Sequence, residues 1–263
     1  MPTRPPSRVF LTGASSGLGR AMALEWARRR PGVGLGLLAR RTEALEEVAG
    51  ACRHAGAGPV ACYGVDVCDR TALADAARDF ESGGVVDIVV ANAGVSLGTT
   101  AGEARDADAL ERTVRTNLIA LADTLAPFVP AMRARRDGIL AGVASLAGVR
   151  GLPGSGAYSA SKAGAIAFLE AARIELAASG VRVVTVVPGF VRTAMTERNA
   201  FPMPFLIDAD AFARRAVRAI ERGVRLAWVP WQIGPVAALL RWLPRPLFDA
   251  LAARSPRKPG ARA

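Results

Sequence analysis

Apolar positions alternate between two patterns along the chain. Short runs rich in Val and Leu, typical of strands buried on both faces, are separated by longer segments whose apolar residues recur at helical spacing. The apolar runs predict strands over Arg8–Thr12, Val33–Ala39, Val60–Asp66, Val86–Asn92, Gly138–Ser145, Val181–Val187 and Arg225–Val229. The amphipathic segments predict helices over Leu18–Arg30, Thr42–His54, Arg70–Glu81, Ala107–Arg135, Ala157–Ser179 and Ala209–Arg222.

This alternation predicts an α/β fold in which a doubly wound parallel sheet, of the Rossmann type, carries helices on both faces. A length of 263 residues suits one such domain. We place the domain at residues 1–230 and interpret residues 231–263 as an apolar C-terminal extension with a basic tail. Ligands of such sheets bind beyond the carboxyl ends of the strands, so residues that end the strands are the candidates for a functional site.

The composition is that of a folded globular protein, with 51% hydrophobic and 22% charged residues. The formal net charge of +11 first suggests nucleic acid as a partner. The Arg residues are scattered, however, and no basic stripe is interleaved with aromatic residues. An anionic cofactor and a solvated basic surface explain the charge as well, so we expect no nucleic-acid binding.

Cysteine and histidine usage argues against a metal site. Cys52, Cys62 and Cys68 and the single His54 lack the paired spacing of zinc ligands. The N-terminus runs into the first strand without the apolar region of a signal peptide. We therefore expect free thiols, no bound metal and a cytoplasmic location.

A glycine-rich turn connects the first strand to the first helix, with the sequence Thr12-Gly13-Ala14-Ser15-Ser16-Gly17-Leu18-Gly19. Glycines at this spacing allow backbone N–H groups to approach a pyrophosphate, and the helix N-terminus adds the positive end of a dipole. The turn therefore predicts a dinucleotide-binding site. The residues expected to contact the dinucleotide here are Gly13, Ser15, Ser16, Gly17, Leu18 and Gly19.

The same turn also matches Gly-x-Ser-x-Gly, the nucleophile elbow of α/β-hydrolases, with Ser15 as the nucleophile. Such an enzyme needs a His that follows both the Ser and the acid in the chain. The only His, His54, lies early in the chain, which disfavours a hydrolase.

The second strand is followed by Arg40 and Arg41, where a site that prefers NAD(H) usually places an acidic residue for the ribose 2′-hydroxyl. Guanidinium groups instead suit a 2′-phosphate, to which Arg offers a planar, bidentate fork. The two arginines therefore favour NADP(H) over NAD(H) as the cofactor.

Tyr158 and Lys162 are four residues apart at the start of a predicted helix and so lie on one of its faces. Both residue types are rare in this chain, since Tyr63 and Lys258 are the only others. A free phenol has a pKa of about 10, and an adjacent ammonium favours the phenolate and lowers that pKa. Alone, the pair could be an ordinary contact between surface neighbours. Together with Ser145 at the end of a strand and the glycine-rich turn, it predicts proton-transfer chemistry.

With these motifs, the chain resembles the short-chain dehydrogenase/reductase family over about residues 8–230. The shared motifs are Gly13-x-x-x-Gly17-x-Gly19, Asp66-Val67, Asn92-Ala93-Gly94, Asn117, Ser145, Tyr158-x-x-x-Lys162, and Pro188-Gly189 with Val191 and Thr193. The resemblance implies an enzyme that moves a hydride between NADP(H) and a carbonyl or a CH–OH group, as a homodimer or homotetramer. A catalytically silent nucleotide sensor or scaffold of the same fold is the alternative, which the complete catalytic set disfavours.

The resemblance also implies roles for single residues. Tyr158 is then the general acid in reduction, Ser145 hydrogen-bonds the substrate oxygen, and Asn117 helps to hold a water relay through Lys162. Cofactor contacts are implied for Asp66 and Val67 at the adenine, for Asn92, Ala93 and Gly94 beside the sheet, for Pro188, Gly189, Val191 and Thr193 at the nicotinamide end, and for Tyr158 and Lys162.

Within the family, the segment that follows Pro188-Gly189 helps to form the substrate pocket. Here it runs from Met195 to Leu206 and is apolar and stiffened by Pro202 and Pro204. Such a segment suits a small-molecule apolar or lipid-like ketone, aldehyde or secondary alcohol. A loop that only covers its own core is an equally good interpretation.

The uncharged run from Leu226 to Leu240 is the last feature of the sequence. It is shorter than the roughly 20 residues of a membrane span. We favour packing of this run on another subunit or on the core. Because Arg241 and Arg245 follow it, peripheral contact with an anionic membrane is the alternative, and with it a membrane-associated location.

Overall fold

The computed structural model describes residues 7–100, 103–197 and 202–254. Its strands are β1 (Arg8–Thr12), β2 (Gly34–Leu38), β3 (Val60–Tyr63), β4 (Ile88–Ala91), β5 (Gly138–Val143), β6 (Val181–Pro188), β7 (Val191–Arg192), β8 (Ile207–Asp208) and β9 (Leu226–Val229). Seven of these strands form one parallel sheet in the order β3-β2-β1-β4-β5-β6-β9. The strand order therefore reverses between β1 and β4, where ligands of such sheets bind.

The helices connect these strands and cover the sheet. They are α1 (Gly17–Arg29), α2 (Thr42–His54), α3 (Arg70–Ser82), α4 (Ala107–Val114), α5 (Ala120–Leu125), α6 (Val129–Arg135), α7 (Gly156–Leu176), α8 (Ala209–Glu221), α9 (Ile233–Trp242) and α10 (Arg245–Ala252). A π-helical segment at Arg115–Ile119 joins α4 to α5, and a short 3₁₀ turn at Leu146–Gly148 follows β5.

Two buried clusters lie on opposite faces of the sheet. On one face, Trp26 of α1 and Phe212 of α8 are fully buried in the same cluster. On the other, Phe10 of β1 packs against Phe80 of α3 and Phe128, with ring centroids 5.7 and 5.1 Å apart. The sheet is thus covered on both sides, which confirms the predicted doubly wound α/β fold.

The predicted helix over Ala107–Arg135 is wrong as a single element. It is interrupted first by the π-helical segment around Asn117 and then by a 3₁₀ turn at Ala126–Phe128, which contains Pro127. Proline removes a backbone donor and fits only the first turn of a helix, and Pro130 accordingly lies in the first turn of α6.

Two predicted strands end two or three residues earlier than expected. The third ends at Tyr63 and the fifth at Val143. Ser145 therefore does not lie on a strand: it caps the 3₁₀ turn after β5, and its Oγ accepts a hydrogen bond from Ala147 N at 3.2 Å. This position exposes the hydroxyl group beyond the carboxyl edge of the sheet.

The C-terminal segment forms two helices that the sequence analysis did not predict. After β9 the chain continues into α9 and α10, and Trp231, Leu239 and Trp242 are 71%, 67% and 84% exposed. Among the described residues, no helix is both long and apolar enough to cross a bilayer. Contact of this segment with a subunit or a membrane surface stays a prediction, as does the domain boundary at residue 230.

Candidate active site

A cleft of about 570 Å³ opens at the carboxyl edge of the sheet, over the point where the strand order reverses. Its walls include most of the site residues predicted from the sequence: Gly13, Ser15, Ser16, Gly17, Leu18, Arg40, Arg41, Asp66, Val67, Asn92, Ala93, Gly94, Ser145, Tyr158, Lys162, Pro188, Gly189, Val191 and Thr193. Gly19 and Asn117 are the two that do not line it, because they pack beneath its surface. One connected site therefore unites motifs from the whole chain.

The glycine-rich turn has the shape of a phosphate cradle. Gly13 adopts a φ of +68°, and a Cβ atom there would lie 2.8 Å from the Ala93 Cα. The turn is fixed from below by Asn92, whose Nδ2 donates to the Thr12 and Gly13 carbonyl oxygens at 3.0 and 3.3 Å. Helix α1 starts at Gly17 with no acidic residue in its first turn, so its N-terminal N–H groups favour an anion. These features fit the pyrophosphate of a dinucleotide.

We expect Gly19→Ala to weaken dinucleotide binding by at least tenfold and to lower the melting temperature. An added Cβ would overlap the Gly13 carbonyl oxygen and would lie 2.7 Å from Asn92 Nδ2, so the turn must shift. Isothermal titration with NADPH and thermal unfolding measure both effects.

Gly50→Ala is the matched control for this variant. Gly50 lies inside α2, and apart from its chain neighbours and the backbone of α2 no atom of the described residues lies within 4 Å of the position its Cβ would take. We expect it to bind NADPH as the wild type does and to be slightly more stable, because Ala is the better helix former. Unchanged binding by Gly19→Ala would contradict the close approach described for the turn.

Two arginines flank the outer end of the cleft after β2. Arg40 Nη1 lies 3.7 Å from Asp66 Oδ2, and both side chains are largely exposed. Arg41 Nη2 donates to Ser15 Oγ at 3.4 Å, which directs its guanidinium toward the glycine-rich turn. Positive charge is thus concentrated beside the glycine-rich turn.

At the inner end of the cleft, Ser145, Tyr158 and Lys162 come together from two elements. Tyr158 and Lys162 lie one turn apart on α7, and Lys162 Nζ lies 6.0 Å from the Tyr158 ring centroid. Lys162 Nζ donates to the Val143 carbonyl oxygen at 2.7 Å, at the end of β5. The Ser145 side chain hydrogen-bonds to Tyr158. These three side chains form a polar group at the bottom of a partly apolar cleft.

Asn117 supports this group from below and is fully buried. Its Oδ1 accepts from Val95 N at 2.8 Å, and its Nδ2 donates to Val95 O at 2.9 Å and to Ser161 Oγ at 3.0 Å. The side chain therefore ties the loop after β4 to helix α7. It reaches this position from the π-helical segment, a local distortion that often occurs at functional sites.

Comparison with known proteins agrees with this geometry. The sequence profile described as short chain dehydrogenase matches residues 7–201. The chain belongs to the short-chain dehydrogenase family. An uncharacterized oxidoreductase of Myxococcus xanthus (strain DK1622) is 42% identical over 248 residues, which cover 94% of this chain and 96% of that protein. Estradiol 17-beta-dehydrogenase 11 of Rattus norvegicus is 31% identical over 250 residues, which cover 94% and 83% of the two chains.

A solved structure shares the fold. The short-chain dehydrogenase from Sphingobium yanoikuyae, determined in complex with NADPH, superposes with a TM-score of 0.77 at 24% sequence identity, over 97% of this chain and 98% of that one. Membership of the family makes the protein an oxidoreductase, and the shared fold agrees with this.

The electrostatics of the catalytic group in this short-chain dehydrogenase differ from the sequence-based expectation in one respect. Burial lowers the pKa of Lys162 to about 8. Burial also raises the pKa of Tyr158 above its ordinary value, and the Ser145 hydrogen bond offsets this only in part. The expected lowering of the Tyr158 pKa by Lys162 is therefore wrong for the protein alone, since the ammonium is directed at the Val143 carbonyl. The phenol is protonated at neutral pH.

Sequence reasoning missed several residues that line the cleft. They are Ala39, Val65, Cys68, Val95, Arg112, Arg115, Thr116, Val143, Ala144 and Ala194. Arg115 is held there by its Nη2, which donates to the Cys68 carbonyl oxygen at 3.1 Å. Val95 and Ala194 each directly follow a recognised motif, and this position was the available signal for these two residues.

The apolar segment expected to cover the substrate is described only in part. Met195 lines the cleft, and Phe205 is 48% exposed with a φ of +58°. Phe201 and the residues just before it lie outside the described residues. The role of this segment as a lid stays a prediction.

Proposed function

We propose that this short-chain dehydrogenase is an NADP(H)-dependent reductase that converts an apolar ketone or aldehyde to the alcohol, with Tyr158 as the proton donor. The observation that carries the proposal is the group of Ser145, Tyr158 and Lys162 at the inner end of the dinucleotide cleft. The raised pKa of Tyr158 supports the direction, because a protonated phenol is the form that donates to a carbonyl oxygen.

A dinucleotide held in the cleft by the glycine-rich turn would supply the hydride that is added to the carbonyl carbon. The Ser145 hydroxyl and the Tyr158 phenol hydrogen-bond the carbonyl oxygen and stabilise the negative charge that develops on it. Tyr158 gives its proton to that oxygen as the alcohol forms. Once the alcohol has formed, the Ser145 hydroxyl donates to the phenolate, which lowers the pKa of Tyr158. The Lys162 ammonium, whose Nζ lies 6.0 Å from the Tyr158 ring centroid, adds a positive charge near the phenolate and is mostly charged at neutral pH because its pKa is about 8. The water relay assigned to Asn117 stays a prediction.

We expect Arg40→Asp to lower the preference for NADPH over NADH by about ten- to a hundredfold. The substitution removes the cation that would pair with the 2′-phosphate and adds a carboxylate that repels the phosphate and accepts from a 2′-hydroxyl. The ratio of kcat/KM for the two cofactors measures the effect.

Arg78→Asp is the control, since it makes the same charge change on α3, outside the cleft. Its ratio should equal that of the wild type. An unchanged ratio in Arg40→Asp would refute the assignment of Arg40, and Arg41→Asp would then be the next variant to measure.

An apolar substrate is supported by the lining of the cleft and by the relatives. Val95, Val143, Pro188 and Met195 line it near the catalytic group. A relative at 31% identity is an estradiol dehydrogenase by name. NADPH consumption across a panel of aliphatic, aromatic and steroid ketones and aldehydes tests the proposal. Consumption by none of them, with NADPH still bound, would overturn it.

A further inference from the structure

Helix α9 runs between the two loops that flank the catalytic group. At its N-terminus, Ile233 packs on the cleft residue Gly189, because a Cβ at Gly189 would lie 2.8 Å from Ile233 Cγ2. The Gly189 N–H also donates to the Val229 carbonyl oxygen at 2.9 Å. The ten residues of α9 extend over about 15 Å. Its far end therefore reaches across to the other side of the site.

At that far end, Arg150 contacts both C-terminal helices. Its Nη2 donates to the Leu243 carbonyl oxygen at 2.8 Å, just past the end of α9. Its Cζ lies 4.5 Å from the centroid of the Phe248 ring on α10. A guanidinium that donates to a carbonyl and stacks on an aromatic ring restrains both partners at once. Arg150 thus fastens α9 and α10 to the loop on which it lies.

That loop, from Leu146 to Ser155, is in turn fixed to the catalytic helix α7. A Cβ at Gly148 would lie 2.7 Å from the Lys162 carbonyl carbon, so the loop touches the backbone of α7 at the catalytic lysine. Farther along, Leu152 N donates to Ser159 Oγ at 3.3 Å. Arg150 lies between these two contacts and five residues after Ser145. The loop is therefore a rigid link between the catalytic group and the C-terminal helices.

We propose that Arg150 is a positioning residue that clamps α9 and α10 against the loop after Ser145, so that the C-terminal helices form an apolar wall for the distal part of a long substrate. The proposal rests on the proposed reductase function. The half-buried Val236 and Leu240, on the same side of α9 as the buried Ile233 and Ala237, supply the apolar surface of this wall.

The test compares two methyl ketones that differ only in chain length, butan-2-one and decan-2-one, with NADPH. For Arg150→Gln we expect the KM for decan-2-one to rise about tenfold, equivalent to about 1.4 kcal/mol of binding. The KM for butan-2-one, the kcat for both ketones and the NADPH affinity should change less than threefold. Arg150→Lys, which keeps a cation over Phe248, should recover part of the loss. Arg173→Gln, on the outer part of α7, is the matched control.

Hydrogen exchange gives a readout that is independent of turnover. In Arg150→Gln the amides of residues 233–252 should exchange faster than in the wild type, while those of α7 should not. If residues 233–252 of Arg150→Gln exchanged at the wild-type rate, Arg150 would not hold the C-terminal helices in place. If the KM values for both ketones changed equally, or not at all, these helices would not contact the distal part of the substrate. If the wild type reduces no ketone, the proposed function fails, and the exchange data alone decide whether the clamp exists.

Discussion

Replacing Tyr158 with Phe is expected to lower kcat for ketone reduction by about a thousandfold, within the range of about 10² to 10⁴ that a positioned general acid contributes. The substitution removes one oxygen atom and keeps the ring, so packing around α7 is preserved. The Ser145 hydroxyl would then be the only hydrogen-bond donor of the proposed pair at the carbonyl oxygen. NADPH oxidation with a substrate from the panel measures kcat.

NADPH affinity should change less than threefold in the same variant, because the phosphate cradle and Lys162 are intact. Tyr63→Phe is the matched control: it is the other tyrosine of the chain, and its hydroxyl donates to Asp79 at 2.7 Å, outside the cleft. That control should keep full activity. Turnover by Tyr158→Phe at a rate comparable to the wild type would remove Tyr158 from the mechanism.

The fold was predictable from sequence because its strands are central and buried on both faces. The sheet positions of Val9, Leu35, Val89 and Leu140 are all nearly or fully buried, and such positions require the continuous apolar runs that the sequence displays. Helix periodicity is equally plain where one face meets the sheet, as in α8 with Phe212. The ends of the strands were less certain, because the residues that follow a strand line the cleft and their types reflect the function of the site more than burial.

The break in the predicted helix Ala107–Arg135 could not be read from periodicity alone. A π-helical turn contains one more residue than an α-helical turn, but it requires no particular residue types. The need for it lies in tertiary structure, because Asn117 must reach both Val95 and Ser161. The family motif singled out Asn117 itself, but it did not indicate the π-helical turn around it.

Cleft residues outside the motifs depend on contacts that are distant in sequence. Arg115 enters the site because it contacts Cys68, and Arg150 matters because the chain returns to it at Leu243. Neither pair has a spacing that sequence alone would single out. The motif residues, in contrast, combine rare residue types with fixed spacing, and nearly all of them line one cleft.

Replacing Lys162 with Met is expected to lower kcat by about a hundredfold or more without destabilising the protein. Lys162 is only 4% exposed, and burial lowers its pKa from 10.5 to about 8. That difference corresponds to about 3 kcal/mol of unfavourable free energy for holding the ammonium in the folded state at neutral pH. Met removes this cost but leaves the Val143 carbonyl without its donor, which costs about 1–3 kcal/mol. The two changes nearly cancel at pH 7.

The pH dependence of unfolding separates these contributions. Above pH 8 the folded wild type releases the Lys162 proton while the unfolded chain, whose Lys pKa is 10.5, still binds it. The unfolded state then binds more protons, so the free energy of unfolding of the wild type rises with pH. Between pH 7 and 9.5 it should rise by about 2 kcal/mol relative to that of Lys162→Met, because the variant lacks this group. Urea unfolding at intervals of half a pH unit measures the free energies of unfolding of both proteins. The titration of all other residues contributes equally to both and cancels in their difference. Parallel curves for the two proteins would mean that the Lys162 ammonium does not destabilise the folded state. The lower activity of Lys162→Met would then not be explained by the loss of a buried ammonium near Tyr158.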